Sequence, residues 1–596
     1  MKETPILVAA AWPYANAEIH VGNLTGSYLP ADIFARYQRL RGRKVLMVSG
    51  SDSHGTPITI RADAEGTTPY EAYQRFHNSF IDLFQKLGLT YDLFTSTHTT
   101  NHFDTSQKIF LALKNNGFLY TDKTRQWYAP SQERFLPDRY VEGTCYICGD
   151  TNARSDQCDK CGSLLEADKL IDPRSKIDGS TPELRETEHY YLDLGKLQPD
   201  VVAFLKARQD YWRPNVLRQS LGQIEADALR GRAITRDLDW GIPVPLEGWD
   251  GKCLYVWFEA VIGYLSASIE WAQLGKDVKG WQDWWYNPEA KTYYFIGKDN
   301  IPFHAVIWPA QLSGVGEEFA KLNGDAPHRL NLPFDVPANE FMNLESQKIS
   351  GSRHWAVWAL DFLTRYDPDP LRYYLTVNMP ESKDTDWDWE EFYHRNNDEL
   401  VATWGNLVNR VLAFTYKHWE GVLPDPGELR PADNELLTAV DKGFETVAEQ
   451  MEAVHLRAAL AEAMRLASEV NKYLDTSAPW FEIKTDKAAA AKSVYTAIRA
   501  IDSLKIMFAP FLPFTCEKLH IFLGYDALLF GTQSVQNVSD KLGEHNVLQY
   551  NHEGATGEWK SGNLQAGQTL RQPGPLFKKL DPEIIEQERA RLGKKE

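Results

Sequence analysis

The stretch "ILVAAAWPYANAEIHVGNLTGSYLPADIFARYQRLRGRKVLMVSGSD" (residues 6–52) decides the fold. It opens on an apolar run of buried-strand length. Ile33, Phe34, Tyr37 and Leu40 then recur at spacings of three and four, the period of a helix with one face in a core. "KVLMVSGSD" (44–52) is apolar again. Strand, helix, strand within about 50 residues is a βαβ unit, which requires a parallel sheet. Such sheets bind ligands beyond the carboxyl ends of their strands. "WPYANAEIHVGN" (12–23) and "GSDSHGT" (50–56) both lie at such ends, so they are expected to share one crevice. A histidine, a glycine and an amide side chain where a strand hands over to a helix suit a phosphate, although alone they read equally as loop.

Outward from this unit, the texture changes to cysteines, turn residues and irregular charge, which reads as an insertion over 118–235 that interrupts a sheet domain begun in 1–117. "LYVWFEAVIGYL" (254–265) and "KTYYFIGKDNIPFHAVIWPAQL" (291–312) restore strand-then-helix patterning, so 236–330 is expected to resume the sheet. A loop and connecting region (331–390) follows. Beyond "DWDWEEFYHRNN" (386–397), segments such as "ELVATWGNLVNRVLAF" and "AVHLRAALAEAMRLASEVNKYL" have helical periodicity, which predicts an all-α bundle over 391–540. The Gly-, Gln- and Asn-rich 552–574 predicts an extended tail within 541–596.

The chain has 596 residues, 43% hydrophobic and 24% charged, with a net charge of −18, which argues against a generally basic nucleic-acid coat. A local basic groove still suffices for phosphate contacts. "RYQRLRGRK" (36–44), the densest basic cluster, reads as a solvated helix end. No apolar run reaches membrane-spanning length and the N-terminus lacks a signal pattern, so the expectation is a cytoplasmic protein without membrane association.

Four of the six cysteines, Cys145, Cys148, Cys158 and Cys161, form a C-x2-C-x9-C-x2-C arrangement. Each C-x2-C turn points two thiolates at one centre, and two turns complete a tetrahedron around zinc. Gly149 and Gly162, each directly after a pair, help the backbone fold back. Four sulfurs leave no coordination position open, so the expected role is structural.

Read in order, "AAWPYANAEIHVGN", "GSDSHGTPI", "FLPDRYVEGTC", "YVWFEA", "FIGKD", "ANEFMNLESQKISGSR", "LRYYL", "GNLVNR" and "APW" resemble the methionyl-tRNA synthetases, a family of class I aminoacyl-tRNA synthetases, from about residue 5 to about 540. The resemblance implies a split Rossmann-type parallel-sheet catalytic domain, an inserted zinc-knuckle connective domain and an all-α anticodon-binding bundle. It also implies ATP-dependent activation of L-methionine to an adenylate, then transfer to tRNA(Met), with Mg2+ accompanying ATP.

"HVGN" is similar to the family's His-Ile-Gly-His signature, with Asn23 in place of the second histidine. The resemblance puts His20, Gly22 and Asn23 under the ATP phosphates, at a helix N-terminus whose N–H groups favour anions. "KISGS" (348–352) resembles the Lys-Met-Ser-Lys-Ser loop, with Lys348 as the first lysine and Gly351 replacing the second; Arg353 is a candidate to compensate. Gly297 and Asp299 fall at ATP-ribose positions. Asp52 matches the carboxylate that receives the methionine ammonium. Trp12, Tyr14, Trp257, Ala260, Tyr264, His304 and Trp308 fall at pocket positions, and an aromatic wall suits a thioether. Trp12 and Val261 depart from the Leu and Pro expected there. Asn406 and Arg410, four apart on one helical face, and Trp480 match anticodon readers.

Where some family members carry a second zinc knuckle, this chain has Ala129, Gln132, Ser175 and Asp178, which implies one zinc per chain. The insertion is short for an editing domain, and a monomer is expected. Two other readings remain open: a class I synthetase for another small apolar amino acid, and a tRNA-binding paralogue with impaired activation, for which Gly351 is the support.

Overall fold

The computed structural model describes residues 4–594 other than 138, 139, 156, 157, 159, 162–164, 166, 227 and 276. Gly162, expected to shape the second cysteine turn, lies outside the described residues.

The opening segment folds as β1 (Ile6–Ala10), a helix (Leu29–Leu40) and β2 (Val45–Ser51), and β1 is buried at every residue. With β3 (Leu93–Ser96), β4 (Lys291–Gly297) and β5 (Ala338–Asn339) they form a parallel sheet in the order β5-β4-β1-β2-β3. β1 thus pairs with β2, from its own half, and with β4, which the chain reaches only after the insertion. The sheet does not end at β3. A hairpin of β6 (Thr532–Asp540) and β7 (Gly543–Asn551) adds to it, with β7 antiparallel to β3 at Leu548 and Phe94. The division expected at 540/541 therefore falls inside a hairpin. Polar "TQSVQNVSD" makes the outermost strand with little apolar signal, and the β3 edge that its hairpin partner β7 joins lies hundreds of residues earlier.

The insertion builds its own antiparallel ribbon, Leu119–Ala129 against Glu183–Leu192, and a small three-stranded sheet beside the cysteines. The helical part contains Asn406–Trp419, Pro431–Glu452, Leu456–Ser477 and Lys487–Phe508, preceded by π-helical turns at Arg395–Gly405.

The two parts are tied by buried charge. Arg372, 0% exposed, donates to Asp32 (2.7 Å) and to the backbone oxygens of Leu87, Pro510 and Phe511. The basic cluster at 36–44 is a solvated helix end only in its last residues: Arg41 and Lys44 are exposed. Arg36 pairs with Asp32 and Arg39 with Asp92, while Arg43 reaches Glu452 of the helical part. Isolated buried charges are costly unless partnered, and here each guanidinium finds a carboxylate.

The stretch expected as an extended tail packs instead. Trp559 sits edge-on to Tyr37 and Phe444, and Leu564, Leu570, Leu576 and Phe577 are buried. A last helix, Glu583–Arg589, returns to the catalytic side. There the buried Glu588 takes Arg365 and Tyr366, Arg589 pairs with Glu345, and the Gly593 N–H donates to the His354 oxygen. Among the described residues no helix is long and apolar enough to cross a membrane.

Candidate active site

A crevice of about 560 Å3 opens at the carboxyl ends of β1, β2 and β4. His20, Gly22, Asn23, Asp52, Gly297, Asp299, Lys348 and Gly351 line it, together with Trp12, Tyr14, Trp257, Ala260, Tyr264 and His304. Trp308 does not. It is 0% exposed one layer behind, with its Nε1 donating to the Tyr294 hydroxyl at 3.1 Å.

His20 is the N-cap of a short helical turn, Val21–Asn23, that leads into π-helical Leu24–Tyr28. His20 and Asn23 cap each other. The Asn23 N–H donates to His20 Nδ1 (3.3 Å), and the His20 N–H donates to Asn23 Oδ1 (3.1 Å). Asn23 is therefore foremost a cap, with its amide nitrogen left over for a ligand. With Nδ1 accepting, the imidazole proton sits on Nε2. Burial lowers the His20 pKa to about 4, so the ring is neutral near pH 7 and acts as a hydrogen-bond donor rather than a cation.

The second signature segment is an antiparallel arm, Met342–Leu344 against Gln347–Lys348. Its two turn residues, Glu345 and Ser346, both have positive φ, the conformation of a tight two-residue hairpin. Lys348 is exposed on the last rung. The neighbouring Ile349 lies over Gly22, where an added Cβ would come within 3.0 Å of its methyl. Gly351 is crowded in turn: a Cβ there would stand 3.2 Å from the Trp358 indole, which itself lies 6.1 Å from the His20 ring. Arg353, the candidate to compensate for Gly351, has a weak 3.5 Å contact from its guanidinium to the Lys348 oxygen.

At the other end of the crevice, Asp52 is 3% exposed, and its Oδ1 accepts a long 3.5 Å hydrogen bond from the His54 N–H. Burial, and next the Glu259 charge, raise its pKa well above the usual carboxylate range. Such a group is poised for a cation. Tyr264 and His304 share a 2.7 Å hydrogen bond, with His304 on a second π-helical segment, Phe303–Ile307. The Trp12 indole, larger than the expected Leu, fits because Gly50 and Gly263 flank it; a Cβ at either would overlap the ring at 2.5 Å or less. Asp299, whose pKa burial raises, lies near enough to Lys298 and Lys348 for their charges to oppose that rise.

Sequence reasoning missed Trp358, Phe341 and the acid Glu259 with its two histidines. Phe341 lies within "ANEFMNLESQKISGSR", but a single sequence gives these residues no signal beyond ordinary core composition.

In the insertion, the four Sγ atoms of Cys145, Cys148, Cys158 and Cys161 lie within 4.8 Å of one another. The N–H groups of Ile147 and Cys148 point at Cys145 Sγ, and Gly149 takes the positive φ that the turn needs. An all-thiolate, closely convergent donor set fits a soft or borderline metal ion. At the other knuckle, Asp178 accepts from the hydroxyls of Ser131 and Ser180, both at 2.7 Å, and these hydrogen bonds depress its pKa.

On the helical part, Asn406 is exposed at the start of its helix. The Arg410 guanidinium lies 4.9 Å from the Trp480 ring centroid and donates to Asn471 at 2.9 Å. Arg410 and Trp480 thus meet, with Asn406 one turn before Arg410 on its helix. Ala478, in the left-handed conformation, starts the turn that presents Trp480, and beside it Phe481 is 67% exposed.

A parallel sheet with a capped helix N-terminus in its crevice, an inserted metal-type knuckle and an appended helical bundle define an α/β protein whose crevice suits a nucleotide and whose bundle is a separate domain. The chain belongs to the family of tRNA synthetases class I (M), whose pattern matches residues 6–412, and residues 423–596 match the anticodon binding domain of methionyl tRNA ligase. It is 52% identical over 594 residues to the methionine–tRNA ligase of Thermomicrobium roseum, spanning 99% of each chain. With that of Roseiflexus castenholzii it is 49% identical over 98% of each. The structure of Mycobacterium tuberculosis methionyl-tRNA synthetase in complex with methionyl-adenylate shares the fold, with a TM-score of 0.74 at 23% identity, over 96% of this chain and 99% of that one.

Proposed function

We propose that the chain is a methionine–tRNA ligase. The observation that carries the reading is the convergence of His20, Lys348 and Asp52 on one crevice with an aromatic end wall, in a chain similar over its whole length to methionine–tRNA ligases.

In the first half-reaction, a methionine carboxylate oxygen attacks the α-phosphorus of ATP. The new P–O bond forms as the bond to the β-phosphate oxygen breaks and pyrophosphate leaves. The Nε2–H of neutral His20 donates to an α-phosphate oxygen as charge builds there, and the helix N-terminus adds its dipole. Lys348 offsets charge on the departing phosphates, Gly297 and Asp299 hold the ribose, and Asp52 takes the α-ammonium. Tyr264 and His304 face the thioether among the rings of Trp12, Tyr14 and Trp257. In the second half-reaction a hydroxyl of the 3′-terminal ribose of tRNA attacks the adenylate carbonyl carbon, and AMP leaves. No covalent enzyme intermediate is needed; the protein positions and stabilises. Mg2+ bound with ATP neutralises phosphate charge. Asn406, Arg410 and Trp480 read the anticodon by an amide, a guanidinium and a stacking indole.

Zinc fits the four thiolates as a structural ion, one per chain. Elemental analysis returning two would contradict the reading of the Asp178 turn as metal-free. Methionine-dependent pyrophosphate–ATP exchange tests the function. Exchange with no amino acid favours a non-activating paralogue, and preference for leucine or valine favours a different synthetase.

A further inference from the structure

Glu259 is 0% exposed and faces three elements at once. A buried carboxylate costs several kcal/mol unless both oxygens are satisfied. Here Oε1 meets His54 Nδ1 at 2.9 Å and Oε2 meets His102 Nε2 at 2.8 Å. His54 and His102 are themselves buried at 2% and 0% exposure. His54 continues to His98 (3.1 Å), whose ring stacks on Trp240, and Trp240 donates to the Ser53 oxygen. His102 continues to Ser266 (2.7 Å), one turn beyond the start of the Gly263–Leu274 helix. None of these groups touches His20, Asn23 or Lys348 in the hydrogen bonds described.

The elements so joined are those that present the methionine end of the crevice. His54 lies two residues past Asp52. Glu259 closes the short helix Val256–Glu259, between Trp257 and Ala260, with Tyr264 in the following helix. His102, in the first turn of Thr100–Asn115, stands 6.4 Å from the Trp12 ring. We propose that Glu259 is a positioning residue for the amino-acid substrate: its carboxylate bolts the Asp52 loop to the wall of aromatic side chains through His54 and His102. This rests on the reading that Asp52 receives the methionine ammonium. Its charge also acts on Asp52. Burial works against the ionised Glu259, but the hydrogen bonds from His102 and His54 outweigh it and hold its pKa low, while Asp52 is pushed up. Of the two buried acids, Glu259 is thus the one favoured to carry charge.

Steady-state pyrophosphate–ATP exchange on the full chain tests this. Glu259→Gln conserves volume, and its amide cannot accept at both ends. The expected result is a methionine KM raised about tenfold with the ATP KM within about twofold of wild type. A merely structural role would lower stability with both KM values unchanged or raised together, and that pattern overturns the proposal. So does a methionine KM within about twofold of wild type. If Glu259→Gln does not fold, His102→Gln carries the test with the same split expected and the same results against it. A wild-type chain without methionine-dependent exchange overturns the functional reading and this proposal together, whereas an exchanging wild type beside an unaffected variant overturns this proposal alone.

Discussion

His20 stands in a turn whose N–H and amide groups satisfy one another, while across the same crevice Lys348 ends the exposed edge strand of a three-stranded sheet, paired to the largely buried Met342–Leu344 and through it to Thr385–Trp387. The first side carries chemistry fixed by burial: a neutral imidazole, one tautomer, a helix N-terminus. The second carries an ammonium on a hairpin held from behind by Arg589 of the last helix and by Ile349 over Gly22. On the proposed reading, stabilisation in place before reaction is assigned to the His20 side, and charge opposite the leaving pyrophosphate to Lys348.

The largest break in this comparison is His20→Ala. Loss of a transition-state donor costs about 100- to 1,000-fold in rate, so exchange kcat should fall by that factor while methionine KM stays near wild type. Lys348→Ala should cost less, about 10- to 100-fold, the worth of one charge-assisted hydrogen bond; an equal or larger loss than for His20→Ala would reverse the ranking of the two sides. Trp480→Ala lies outside the crevice and should leave exchange intact while lowering tRNA charging about tenfold or more, by the stacking of one base. Equal loss in both assays would contradict its role.

Acid should also separate the sides. His20, His77 and His304 are each held by burial near pKa about 4. Between pH 6.5, where these groups protonate in the unfolded chain, and about 4, the unfolded state binds more protons, so stability falls as pH falls through that window and is complete above it. Denaturant midpoints at pH 7 and pH 5 check the sign.

The smallest effect is expected from Gly351→Lys. The sequence alone reads Gly351 as a lost ammonium. A Cβ there would stand 3.2 Å from the Trp358 indole, so the gained charge is set against a shift of a few tenths of an ångström in a ring packed beside His20. Activation rate should change by less than about threefold, since a charge-assisted hydrogen bond and a tight contact are of similar size.

Those two residues mark where sequence stops being informative. β1, β2 and the helix between them announce themselves by apolar period, and the four cysteines by spacing, because each pattern is local. The pocket register came from resemblance, which brought Tyr264 and His304 into the crevice but misplaced Trp308 by one layer. Glu259 was hidden because a lone acid in an apolar run carries no mark of the His54 and His102 that meet it from distant segments. In the hairpin over 532–551 the polar outer strand β6 was hidden for a similar reason, since it pairs only with β7 and the edge that β7 joins comes from β3, far earlier in the chain.

That hairpin also has a bearing on synthesis. β3 leaves the ribosome roughly 450 residues before β7, a wait of about 20 to 90 s at ordinary elongation rates. Until then the nascent catalytic sheet presents β3 as a bare margin, the kind of surface on which strands of other chains can add. Completion of the translated chain, rather than of its catalytic half, is what seals the sheet.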